Sequence, residues 1–233
     1  MGRLLHEFVD EDVAFNFREF FRVNESGGFC HEKDVRAFLN LLTKEDKDSL
    51  YPYANEEYRN IFRHTLWMVP GVKEARALSA MLQTHPVFQH FKVVNVAGDG
   101  DQDEESRDAL EAVEQAIGKD PDATRTITLS CGRLTTGVSV KAWTAVFMLS
   151  GSYNTAASSY MQTIFRVQTP ATINGRMKEQ CYVFDFAPDR TLKVTCRKQP
   201  KYRPKPEKLH KATVRLWVSL SISVPSYPLR AHR

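Results

Sequence analysis

An α/β fold, with a mainly parallel sheet flanked by helices, is what this sequence predicts, and three observations predict it. Short apolar runs that read as strands alternate with longer segments whose apolar residues recur at helical spacing. The connections have the length that a right-handed crossover between parallel strands needs. Glycine and proline fall at the ends of these runs rather than inside them.

Residues 1–62 precede the alternation and read as a helical segment. DEDVAFNFREFFRV crowds Phe15, Phe17, Phe20 and Phe21 together, and KDVRAFLNLL sets Val35, Phe38, Leu39 and Leu42 at helical spacing. Gly27 and Gly28 separate the two, and Pro52 begins a further segment, YANEEYRNIFRH. So short a stretch buries little core of its own, so these helices are expected to lean on a neighbour.

HTLWMV (64–69) is the first strand, stopped by Pro70-Gly71. A helix over 73–85 follows, with Ala77, Leu78, Met81 and Leu82 as its apolar face. FKVVNV (91–96) is the second strand. The acidic stretch DGDQDEES (99–106) reads as a loop before a helix over 107–117, which Gly118 ends. Strands TITLSC (126–131), TAVFML (144–149) and CYVFDF (181–186) complete the sheet, with a helix, SSYMQTIFRV, over 158–167.

Charge divides the chain unevenly. From Lys193 onward there are eleven Lys or Arg against the single acid Glu207, whereas the first 192 residues hold twenty-one basic and twenty-seven acidic side chains. The basic pI therefore belongs to the tail. Three readings of residues 193–233 stay open: a basic irregular tail able to touch phosphates, an added edge strand near 216–224, and a segment out of register with the parent protein after a frame change. No apolar run reaches the roughly 20 residues a membrane helix needs. Cys30, Cys131, Cys181 and Cys196 lack CxxC pairing and read as reduced thiols, which with the missing signal-peptide core leads us to expect a cytoplasmic protein.

Two segments carry chemistry. In GRLTTGVSV (132–140) a Thr-Thr-Gly turn follows a buried strand, and Gly137 would let the backbone approach a phosphate closely. An ordinary connecting turn is the plain alternative. In SSYMQTIFRV, Gln162 and Arg166 share a helix face at i and i+4. There the plain alternative is a solvated face. Strand ends and a helix of this kind suit a phosphate site at the edge of a parallel sheet.

From His64 to Phe186 the chain resembles the second, C-terminal RecA-like domain of a superfamily 2 helicase or translocase, of the kind that serves as a motor in bacterial restriction systems. HTLWMVPGVKEARALSAML resembles its opening strand and helix, SCGRLTTGVSV its fifth motif, and SYMQTIFRVQTP its sixth. The resemblance implies a single RecA-like domain over 63–192, with residues 1–62 as a connector. It implies that Gln162 and Arg166 face ATP held by a partner domain, with Arg166 as an arginine finger, and that Thr135, Thr136 and Gly137 meet the DNA backbone. Ser139 would also face the nucleotide, though it stands where an acid often meets the sugar. Phe165 stands where relatives have glycine, and Thr169 where they have a second arginine.

The chain contains no G-x-x-x-x-G-K-S/T loop to cradle phosphates and no acidic box to hold Mg²⁺. ATP and Mg²⁺ are thus expected only with a Walker-bearing first RecA-like domain, and the chain alone is expected to be inactive as an ATPase. No residues suggest a resident metal. A non-enzymatic nucleic-acid-binding module, or an inactive remnant of a truncated gene, is the alternative.

Overall fold

The computed structural model describes residues 16–45, 51–98, 103–131, 140–150, 157–186 and 220–223, of which 103–106, 157 and 220–223 are described by backbone alone. Its helices are α1 (Phe17–Phe20), α2 (Glu32–Leu42), α3 (Glu56–Ile61), α4 (Val72–Gln83), α5 (Asp103–Ile117) and α6 (Ala157–Val167). Its strands are β1 (His64–Met68), β2 (Lys92–Asn95), β3 (Thr126–Ser130), β4 (Ala145–Met148), β5 (Thr172–Ile173), β6 (Arg176–Met177), β7 (Gln180–Asp185) and β8 (Leu220–Ser223).

Six strands form one sheet in the order β2-β3-β1-β4-β7-β8, with β5 and β6 as a separate hairpin. The first five are parallel, and β8 runs antiparallel to β7. The α/β fold with a mainly parallel sheet is therefore as the sequence indicated. Strand β1 sits near the centre and is buried along its whole length, as are β3 and β4, which accounts for their uninterrupted apolar and threonine-rich text.

Alternation along the strands sorts side chains onto two faces. One face gathers Trp67, Ile127, Leu129, Phe147 and Phe184 with α1, α2 and α4. The other gathers Leu66, Met68, Val146, Met148 and Val183 with α5, α6 and Trp143. Residues 16–45 and 51–62 contribute Phe17, Phe20, Phe38, Leu39, Tyr53 and Phe62 to the first cluster, so the aromatic-rich helices do lean on the sheet.

One local expectation is corrected and one open reading is sharpened. The acidic stretch expected as a loop over 99–106 is helical from Asp103, because carboxylates are favoured in a helix's first turn. The tail, left open between an irregular segment, an edge strand and a frame change, contributes β8 over its four described residues, which pairs Cys181 with Ile222 and Tyr182 with Ser221. The alternative of an edge strand near 216–224 is the one that describes those four residues; the rest of the tail lies outside the described residues.

Candidate functional site

Strands β1 and β4 end side by side, with Met68 opposite Met148. From β1 the chain leaves through α4 on one face toward β2, and from β4 through α6 on the other toward β7. Connections that diverge like this open a crevice at the carboxyl ends of the strands, the usual place for a ligand in such a sheet. Here α4 is preceded by Gly71 as its N-cap, in extended backbone at φ −169°. A Cβ at Gly71 would collide with Glu74 Oε2, so the glycine lets the helix's own first-turn carboxylate fold against its positive end. That helix end is met by the chain itself.

Helix α6 buries Tyr160, Thr163, Ile164 and Val167 and turns Gln162 outward. Arg166, one turn on, is half-buried, and desolvation draws its pKa below the ordinary arginine value. Phe165 lies on the same outward side and is 52% exposed, a large aromatic left open beside the two polar residues. The structure thus brings Gln162 and Arg166 together on one side of one helix. Thr135, Thr136, Gly137 and Ser139 lie outside the described residues.

The last carbonyls of α6, which have no partner within the helix, are taken up in sequence. Gln168 N donates to Phe165 O at 3.2 Å, and Thr169 Oγ1 donates to Arg166 O at 3.3 Å. Thr169, where the resemblance expects a second arginine, therefore caps the helix. Val167 O accepts from Lys178 Nζ at 3.1 Å.

Lys178 is the residue that sequence reasoning missed. Only 9% exposed, it also donates to Lys141 O and Trp143 O, each at 3.1 Å. Its three N–H groups thus meet three carbonyls from two segments. Burial pushes its pKa down to about 8, against the opposing pull of the neighbouring Cys181 thiol, whose own pKa burial raises. Nothing in the text Met177-Lys178-Glu179 distinguishes this lysine from a surface one.

These contacts also place Arg166. Thr144 N bonds His64 O at 3.0 Å, which puts Trp143 and Thr144 at the amino edge of the sheet. Helix α6 follows the carboxyl end of β4 and returns to that amino edge, where Lys178 joins Val167 to Trp143. Arg166 therefore sits at the opposite end of α6 from the carboxyl-edge crevice.

The amino edge is tied by a polar network. His64 Nε2 donates to Pro121 O at 2.7 Å, so its Nδ1 accepts from Thr126 Oγ1 at 2.9 Å. Asn174 Nδ2 donates to Asp120 Oδ1 at 2.8 Å and Asp122 Oδ2 at 2.9 Å. Arg176 pairs with the same Asp122 oxygen, and these bonds hold the Asp122 carboxyl below its ordinary pKa. Asn174 and Gly175 have φ of 48° and 77°, the two positive values of a tight primed hairpin turn. The Asn-Gly pair was the sequence signal for this β5–β6 hairpin, whose second arm delivers Lys178. Among the described residues no group of three or more His, Cys, Asp or Glu could hold a metal ion.

No family model matches the chain. A stretch of 171 residues, 72% of the chain, is 31% identical to a protein of Mycoplasma pneumoniae (strain ATCC 29342 / M129 / Subtype 1) described as "Putative type II restriction enzyme and methyltransferase RM.MpnORF110P C-terminus". The likeness is to a restriction and modification protein. The chain spans 23% of that relative's length. Among the described residues no helix is long and apolar enough to cross a membrane.

Proposed function

We propose that this chain is the C-terminal RecA-like part of an ATP-dependent DNA translocase that works in restriction and modification. One observation carries the reading: Gln162 and Arg166 stand one turn apart on the outward side of α6, with Phe165 open beside them. A glutamine and an arginine so placed can meet a phosphate brought by another surface. The likeness to the restriction and modification protein supplies DNA as the substrate class.

The described residues fit one wall of a nucleotide site and not the whole. Arg166 would place its guanidinium against charge that builds on the transferring phosphoryl group, and Gln162 would orient the reacting groups. In this reading a first RecA-like domain would supply the Mg²⁺ ligands and the phosphate-cradling loop, since the sequence carries no G-x-x-x-x-G-K-S/T loop. ATP at the junction supplies the free energy for closure of the two domains. The Thr135–Gly137 turn would grip the DNA backbone.

The test is to join the chain to a Walker-bearing first domain and measure DNA-stimulated ATP hydrolysis. Arg166→Ala is expected to lower kcat by about 10³-fold or more, the effect typical of an arginine finger, with the melting temperature unchanged. Vigorous DNA-stimulated hydrolysis by the chain alone would overturn the half-motor reading. Salt-sensitive DNA binding that needs the tail and ignores Arg166 would favour the non-enzymatic binding module instead.

A further inference from the structure

Lys178 offers more than a filled cavity. A buried lysine is costly unless its donors are matched, and here each ammonium N–H has a backbone carbonyl. Those carbonyls come from two places: Val167, which directly follows Arg166 at the end of α6, and Lys141 and Trp143, on the approach to β4. Lys141 is four residues beyond Gly137. The end of α6 that bears Arg166 and the stretch that follows the Thr-Thr-Gly turn are thus fastened to one side chain. Its backbone is fixed as well, since Lys178 N donates to Ala171 O at 2.8 Å and the hairpin before it is pinned to Asp120 and Asp122 through Asn174.

We infer that Lys178 is a positioning residue: it clamps the arginine-bearing end of α6 to the segment that follows the Thr-Thr-Gly turn, so that displacement of either is felt by the other. The inference rests on the proposed function for the roles of the two segments, and on geometry alone for the clamp. A flexible carbonyl-to-carbonyl contact could not do this, because two acceptors repel. An ammonium with three donors can bridge them, and a positive charge at the end of a helix is favoured by its dipole.

The clamp is tested on the full chain by following the carbonyl carbon resonances of Lys141, Trp143 and Val167 from pH 6.5 to 10. An ammonium has three N–H donors and a neutral amine two, so the three resonances are expected to shift together with one midpoint. Lys178→Met should abolish all three shifts. The charged and titratable groups on the surrounding elements are Lys141, Arg166, Arg176, Glu179 and Cys181. Cys181 interacts electrostatically with the ammonium, so Cys181→Ser removes it from the titration and should leave the common midpoint standing. Separate midpoints, or shifts that survive Lys178→Met, would overturn the clamp.

Its part in the site is read in the joined two-domain protein. Lys178→Met is expected to lower kcat for ATP by about 10²-fold, the scale of a misplacement near 1 Å, with KM within twofold, and Lys178→Arg to recover most of it. An unchanged kcat for Lys178→Met, beside an inactive Arg166→Ala, would overturn the positioning role. If Arg166→Ala is itself fully active, the proposed function fails and the positioning role with it, while the carbonyl titration still decides the clamp. Should Lys178→Met not fold, Lys178→Arg supplies the comparison: its guanidinium does not titrate in this range, so the common midpoint should vanish, and shifts that persist would overturn the clamp.

Discussion

The two faces of the sheet are built on different principles. On the face that carries α1, α2 and α4, Phe147 stacks on Trp67 at 4.9 Å and on Phe184 at 4.6 Å, with Tyr53 stacked at 5.7 Å. Two rings on this face share one hydroxyl: Thr65 Oγ1 lies 3.0 Å from both the Tyr53 hydroxyl and the Trp67 indole nitrogen. The face under α5 and α6 is lined by leucine, methionine and valine instead. It holds the buried Lys178, and among the described residues Thr128 Oγ1 and Trp143 Nε1 have no hydrogen-bond partner. A dry, ring-filled face fixes the sheet. A face with matched charge and spare polar atoms has something to orient.

The largest expected consequence is in stability. Phe147→Ala removes the ring that touches Trp67, Tyr53 and Phe184, and should cost about 3–5 kcal/mol in a denaturant titration. Ile164→Val, a small trimming of α6 on the other face, should cost about 0.5–1.5 kcal/mol. Equal losses, once the difference in volume removed is allowed for, would break the contrast between a jigsaw core and a looser one.

That contrast also explains what was legible beforehand. The strands could be read because burial on both faces writes continuous apolar text, as in Leu66-Trp67-Met68. Pro70-Gly71 and Gly118 marked the ends of elements. The start of α5 was hidden because Asp103 and Glu104 look like a solvated loop, although the same charges suit a helix's first turn. In the candidate site, the pairing of Gln162 with Arg166 followed from helical spacing alone. The capping by Thr169 and the three-way contact of Lys178 did not, because they depend on where two separate segments end in space. Strand β8 was one of three open readings of the tail, and it is the pairing with β7 that gives its four residues a place.

Two threonines sharpen the comparison further. Thr65→Val on the ring-filled face strips the shared hydroxyl from two buried groups, and should cost about 1–3 kcal/mol. Thr128→Val replaces a buried hydroxyl that serves nothing, and should leave stability unchanged or raise it by about 0.5–1 kcal/mol. Thermal unfolding of both variants decides the point. If both lose stability alike, Thr128 has a partner that the contrast denies it.

The smallest expected effect concerns acid. His64, on the α5 side, and His85, on the other, both have pKa values lowered by burial, so each stays neutral in the fold. His64 cannot take a second proton without making a donor of Nδ1, which now accepts from Thr126. His85 Nδ1 faces the amide groups of Val87 and Phe88 and has no room for a proton either. The unfolded chain protonates both near pH 6.5, and the fold resists. Their contribution is thus fully present above that pH and is lost as pH falls through it, by up to about 1.4 kcal/mol per pH unit for each histidine. The lowered carboxyls of Glu19, Glu56 and Asp122 act in a lower window, below about pH 4.5. Melting temperatures between pH 5 and 7 should therefore fall with acid, and His64→Gln and His85→Gln should each flatten part of the slope. Because His64 is fastened at both ring nitrogens across β1, β3 and the Pro121 turn, its variant should also lower the plateau at pH 8. A slope that neither substitution alters would mean that another group carries the acid response.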